Sequence, residues 1–197
     1  MNTVSVLDEQ DQRRLLVLAR RALEARVRRQ PSPEPARGGT LDAPWSAFVT
    51  IHNRGELRGC LGRLDTQAPL GETIAQLAAS VSDSDPRFFP VSFLELPDID
   101  IEISVLTPER EIRSIEEIEI GRHGLIVELG ANRGLLLPQV ATEQRWNRDT
   151  FVSQACLKAW LPHDAWREGA RLFVFEAQVF GELDFAGRAG AAGAGLV

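Results

Sequence analysis

The sequence predicts an α+β protein, with a mostly antiparallel sheet and helices packed on it. Three observations carry that expectation. Asp98 to Leu106 alternates strictly, with Ile99, Ile101, Ile103 and Val105 on one side and Asp98, Asp100, Glu102 and Ser104 on the other. That is the pattern of a strand with one face in a core. Leu15, Leu16, Ala19, Ala22, Leu23 and Val27 recur at helical spacing and form one apolar stripe among arginines. The strand candidates are one-sided rather than continuously apolar, which argues against a doubly wound parallel sheet.

Taken in order, residues 8–30 read as the amphipathic N-terminal helix. Residues 31–44, PSPEPARGGTLDAP, are too rich in proline and glycine for a regular element and read as a linker. Trp45 to Gly62 reads as a hairpin around a three-residue loop, Asn53-Arg54-Gly55, whose glycine supplies the left-handed position. In that register Ile51 faces Leu57, Val49 faces Gly59 and Ala47 faces Leu61, all on the core side. A two-residue loop would set Ile51 against Arg58. On the other side Thr50 lies across from Arg58, and Phe48 across from Cys60. Pro69 to Ser82 is a second helix, and Asp83-Ser84-Asp85-Pro86-Arg87 is a turn. Leu125–Leu129 and Gly134–Leu137 form a second hairpin around four residues. Asp149 caps a helix that runs to about Trp160, and Arg171 to Phe180 is a late strand. The expected organisation is one domain over residues 1–183, with its core at 45–183, and a disordered Ala/Gly-rich tail over 184–197.

At 197 residues, 44% hydrophobic and 25% charged, the chain is of ordinary globular composition. A net charge of −6 argues against a nucleic-acid binder, because the bulk charge does not neutralise phosphate. No leader-like N-terminus and no apolar run of membrane-spanning length is seen, so a cytoplasmic protein with no membrane attachment is expected. Cys60 and Cys156 should both be free thiols.

Cys60 is the residue most open to chemistry. Arg58 is two positions away on the same strand, and a guanidinium near a thiol favours the thiolate. Gly59 and Gly62 remove bulk around the sulfur. The alternative, that Cys60 packs as a small hydrophobe, stays open. Cys156 lies in FVSQACLKAW and reads as core filler. His52 and His163 read as surface residues, whereas His123, between glycines in GRHGLIV, is placed to reach a cleft. Glu102, mid-strand, is the carboxylate to single out from the row Asp98, Asp100, Glu102. HExxH, CxxC, GxGxxG, the P-loop and GxSxG are all missing, so neither a metal nor a cofactor is expected.

Six segments, AFVTIHNRGELRGCLGRL, DPRFFPV, LPDIDIEISVLTP, GRHGLIVE, RGLLLPQVATEQRW and CLKAWLPHDAW, resemble the AMMECR family in that family's order. The bacterial and archaeal members of this family are called AmmeMemoRadiSam system protein A. The resemblance spans about Leu15 to Phe180, and LRGCLG (Leu57–Gly62) matches its hallmark. Ser82-Asp83-Ser84 departs from the usual aromatic or basic approach to the DPRF turn. The resemblance implies an α+β fold with two unequal lobes in one compact domain, an unsettled activity, and a Memo-like protein and a radical SAM protein as partners. Arg58, Gly59, Cys60, Gly62, Asp85, Arg87, Glu102, His123 and Gln139 fall on its signature positions. Two functions follow as expectations. One is a thiol-dependent enzyme with Cys60 as nucleophile, His123 and Glu102 as acid–base groups, and Arg87 or Gln139 holding an anionic or amide group of the substrate. The other is a non-catalytic adaptor whose LRGCLG groove docks a partner.

Overall fold

Helix α1 (Glu9–Val27) begins where the Asp8 carboxylate accepts the Asp11 N–H, and its leucine and alanine stripe is buried. In the computed structural model, which describes residues 7–64 and 67–186, the chain divides into two compact units. One is made of the described residues of 5–105 and 178–197; the other is Leu106–Ala177, inserted between them.

In the first unit, strands β1 (Ala47–Asn53), β2 (Glu56–Arg63) and β3 (Ile99–Leu106) run antiparallel in the order β2-β1-β3. Val49, Ile51, Ile101 and Ile103 project from one face into a core shared with α1 and helix α2 (Leu70–Ser80). The presumed linker is not featureless: Gly39–Asp42 forms a 3-10 turn whose Leu41 is fully buried, because an apolar residue beside a core docks even a proline-rich segment.

The hairpin register corrects the sequence reading. Asn53 pairs Glu56 across a two-residue turn, Arg54-Gly55, in which both residues have positive φ (53° and 84°). Such a turn matches the right-handed twist of the strands better than the three-residue loop. The misfit that spoke against it is absorbed by a bulge between Ile51 and His52, which leaves Arg58 as the extra residue. Consequently Ile51 faces Gly59, Val49 faces Leu61, and Thr50, not Phe48, faces Cys60. Leu57 pairs His52 and is exposed rather than in the core. Cys60 does lie on the face opposite Val49 and Ile51, since the corrected register preserves parity.

The inserted unit holds β4 (Arg110–Ile112), β5 (His123–Leu129), β6 (Asn132–Leu136), α3 (Pro138–Glu143) and α4 (Arg148–Lys158). It also holds most of β7 (Arg171–Gly181). β4 and β5 flank β7, and β6 pairs β5 around Gly130-Ala131, two residues rather than the expected four. Asn147, not Asp149, caps α4, its Oδ1 accepting the Thr150 N–H. The ends of α1, α3 and α4 share one device: Arg29, Arg145 and Trp160 take the left-handed position that glycine usually fills. For α4, Leu161 N–H reaches the Cys156 carbonyl and Trp160 N–H that of Leu157, which closes the helix.

After β7 the chain forms a short helix, α5 (Glu182–Ala186), where disorder was expected from residue 184. The reason is Phe185, which packs on the first unit's core beneath the Arg13 guanidinium, 4.2 Å from the ring centroid. The rest of the expected tail, 187–197, lies outside the described residues. Among the described residues no helix is long and apolar enough to cross a membrane.

Candidate functional site

Cys60 sits mid-strand on β2, the edge of the first unit's sheet, and is partly buried. The register sets three polar residues in one row on the face away from the core: Cys60 opposite Thr50, and Thr50 opposite Glu102. Thr50 Oγ1 donates to Cys60 Sγ at 3.3 Å. Glu102 stands two strand spacings from Cys60, about 10 Å at the backbone. The neighbouring row is Gly62, Phe48 and Ser104. The Phe48 ring covers Gly62 so closely that a Cβ there would fall 2.1 Å from it. Gly62 is therefore a seat for an aromatic ring. Gly59 points to the core instead, where a Cβ would meet Val81 and Ile51 at 3.1–3.3 Å. Neither glycine opens space at the sulfur.

Asp85 holds the site together. Its carboxylate is buried and accepts the backbone N–H of Cys60 (2.9 Å), the backbone N–H of Arg87 (3.1 Å), and Arg87 Nε and Nη2 (3.0 and 2.7 Å). The Arg87 hydrogen bonds, with burial opposing and the Cys60 and Arg87 backbone donors assisting, hold this carboxyl well below the usual carboxylate range. An edge strand presents unpaired N–H groups, and the turn 83–87 satisfies the one at Cys60 with a charge. Asp85 in turn keeps the Arg87 guanidinium protonated, and the Cys60 sulfur lies within its electrostatic reach.

Arg58 is turned away from the sulfur. The bulge aims its Nε at Glu95 Oε1 (2.8 Å) and its Nη2 at the Pro90 carbonyl (3.4 Å), with the Phe88 ring centroid 5.9 Å from its carbon. This guanidinium, with the Ser92 backbone N–H, pulls the Glu95 carboxyl down to about 2. The first unit therefore gathers Arg58, Gly59, Cys60, Gly62, Asp85, Arg87 and Glu102 around one strand and one turn.

His123 and Gln139 belong to the inserted unit. His123 opens β5 and is buried; its Nδ1 accepts the Glu119 N–H (3.1 Å) while its own N–H bonds the Glu119 carbonyl (2.9 Å). It closes a tight turn. Gln139 lies in α3, where its carbonyl accepts the Thr142 hydroxyl at 2.7 Å. Cys156 is fully buried in α4, and burial pushes its thiol up. Among the described residues no group of three or more His, Cys, Asp or Glu is placed to hold a metal ion.

Sequence reasoning missed Thr50, which only the bulged register reveals, and Glu95. The Ser92-x-x-Glu95 spacing signals a capping box, and that box is present, but no spacing rule connects Glu95 with Arg58 across 37 residues.

The described geometry can be set beside known proteins. The model of the AMMECR1 family matches residues 16–180. The chain belongs to the AMMECR1 family. A protein of Thermofilum pendens is 43% identical over 190 residues, covering 85% of this chain and 88% of its own length. Protein MJ0810 of Methanocaldococcus jannaschii is 44% identical over 146 residues, covering 70% of this chain and 73% of its own. The crystal structure of the uncharacterized protein PH0010 from Pyrococcus horikoshii superposes with a TM-score of 0.83 at 35% identity. That match covers 90% of this chain and 94% of the other. The AMMECR1 fold, α+β with antiparallel strands, is thereby the fold of this chain, and the family's function is uncharacterised.

Proposed function

We propose that this AMMECR1 domain is a thiol-dependent enzyme centred on Cys60. The observation that carries the reading is the hydrogen bond from Thr50 Oγ1 to Cys60 Sγ beside an arginine anchored by a buried carboxylate. A hydroxyl that donates to sulfur favours the charge the thiolate carries, and the thiolate is the nucleophile. Asp85 fixes the backbone of the attacking residue and the root of Arg87 together, while the Arg87 side chain stays half exposed to meet an anionic group. Glu102, at the far end of the Cys60–Thr50 row, is the acid–base group of this reading toward the substrate rather than toward the thiol, which lies about 10 Å away at the backbone. His123 enters only through its sequence setting and the family resemblance. Action alongside a Memo-like protein and a radical SAM protein enters through the resemblance alone.

Alkylation of the two single-cysteine variants, Cys60→Ala and Cys156→Ala, tests this. The folded protein should lose Cys60 to iodoacetamide at least on the order of tenfold faster than Cys156, which burial protects. Anionic iodoacetate should gain relative to iodoacetamide at Cys60, and Arg87→Ala should remove that gain. Thr50→Val should alter the Cys60 rate with either reagent. If Cys60 is as inert as Cys156, the thiol is structural.

The second reading is a binding module. It is favoured by the segment that follows Asp85, which leaves Phe89, Phe93 and Leu94 exposed.

A further inference from the structure

The segment from Pro86 to Leu94 combines two features that seldom meet in a free surface loop: it is strongly apolar at its tip and firmly held at its base. Phe89 is 90% exposed and Leu94 82%, with Phe93 exposed nearby and Leu57 exposed on the adjoining hairpin. Yet the backbone is tied down at both ends. Val91 N–H bonds the Ser82 carbonyl (2.7 Å), Phe88 N–H that of Asp85 (3.1 Å), and Arg58 reaches the Pro90 carbonyl. The Ser92–Glu95 capping box closes the far side, and Pro86 and Pro90 restrict the chain between. Large apolar side chains presented on a rigid base lose little entropy on association, and contiguous exposed apolar surface rimmed by polar groups marks association sites.

The rim has a sign. Arg26, Arg54, Arg58 and Arg87 are each paired with a carboxylate, and in all but the Arg58 pair the arginine is the more exposed partner. Arg87 and Asp85 are 55% and 3% exposed, and Arg54 and Asp98 77% and 39%. Arg26 over Asp83 follows the same order. Arg28, whose guanidinium lies 4.5 Å from the Phe93 ring centroid, adds a cation with no acidic partner among the described residues. In a chain of net charge −6, the guanidiniums of these three pairs stand further into solvent than their carboxylates.

We propose that the Pro86–Leu94 loop is the docking surface for a partner protein that presents an acidic segment carrying large apolar side chains. Phe89 and Leu94 are the anchors that enter the partner, and Arg28, Arg54 and Arg87 meet its carboxylates. The proposal extends the binding-module reading and does not require a reactive Cys60.

The test uses the full chain and two fluorescent amphipathic peptides of one design, one built from Glu and Leu and the other from Lys and Leu. The Glu/Leu peptide should bind in a salt-dependent manner, at least tenfold more tightly than the Lys/Leu peptide. The Phe89→Ser/Leu94→Ser double variant should lose at least tenfold in that affinity with an unchanged melting temperature, since both side chains stand in solvent. Equal or stronger binding of the Lys/Leu peptide, no binding of either, or unchanged binding by the double variant overturns the proposal. So does concentration-dependent self-association of the wild type that the double variant abolishes, which would make a second copy the occupant. Cys60 alkylation, measured in the same double variant, reports on the thiol reading separately.

Discussion

Asp85 and Glu95 are both carboxylates whose ionisation is built into the fold, and they differ in what they hold. Asp85 spends its lone pairs on two backbone N–H groups and one guanidinium, so it fixes main chain. Glu95 clamps Arg58 and the Ser92 N–H, so it fixes the loop base. The Glu95 carboxyl falls from its ordinary value of 4.5 to about 2, and a carboxyl depressed on folding contributes stability above its unfolded value. That contribution is fully present above about pH 4.5 and is lost as the pH falls toward 2. Glu95→Gln should therefore destabilise by about 1–2 kcal/mol near neutrality, the scale of a partly exposed charged hydrogen bond. In urea titrations the gap between variant and wild type should close between pH 4.5 and 2. A gap that is constant with pH would mean that Glu95 acts through packing rather than charge.

Elements reveal where local rules and this chain part company. Trp160 ends α4 in the left-handed conformation (φ 60°), is 91% exposed, and occupies the position where glycine is most at ease. A side chain in that region costs about 1 kcal/mol or more relative to glycine, with no burial to offset it here. Trp160→Gly should thus raise stability by about 0.5–1 kcal/mol, read as an upward shift of the urea midpoint at unchanged slope. A fall would show that the indole contributes contacts in solution. Periodicity made α1, α2 and β3 legible, because their apolar faces repeat at 3.6 or 2 and each is read within a few residues. The hairpin faces were legible too, but not the register. Parity survives a shift of two residues, and the choice among turns rested on Leu57 being a core residue, which the bulge at Arg58 makes untrue. Candidate site residues on neighbouring strands could be anticipated in this way. The partners Asp85 supplies to Cys60 and Glu95 to Arg58 could not, since both arise from how a proline-rich turn folds back over an edge strand.

At the scale of the molecule, the first unit is made of two stretches of chain that the whole inserted unit separates. Gln178 illustrates what this demands: its Oε1 accepts the Leu7 N–H at 2.8 Å and its Nε2 donates to the Leu7 carbonyl at 2.9 Å. Nearby, Arg20 donates to Glu182, which also accepts the Ile101 N–H. Gln178→Ala should cost roughly 1–2 kcal/mol, one amide pair's worth of hydrogen bonds, and should speed amide exchange at the start of α1 before it does so elsewhere. Exchange that rises uniformly would instead make the amide a global rather than a local clasp.

The same discontinuity bears on how the protein is made. Leu106–Ala177 is one unbroken stretch, with its hairpin, helices and flanking strands close together in sequence. It can complete its contacts as soon as it has left the ribosome. The unit that carries Cys60 cannot: Phe180, buried in its core, and Gln178 and Glu182, which fasten α1 and β3, are synthesised only after the whole inserted stretch. Helix α1 can pack on α2 early, but the clasp of Gln178 on Leu7 and of Glu182 on Arg20 must wait until the inserted stretch has been made. Residues beyond the inserted unit, more than any at the thiol, set the moment at which the nascent chain can first display its site.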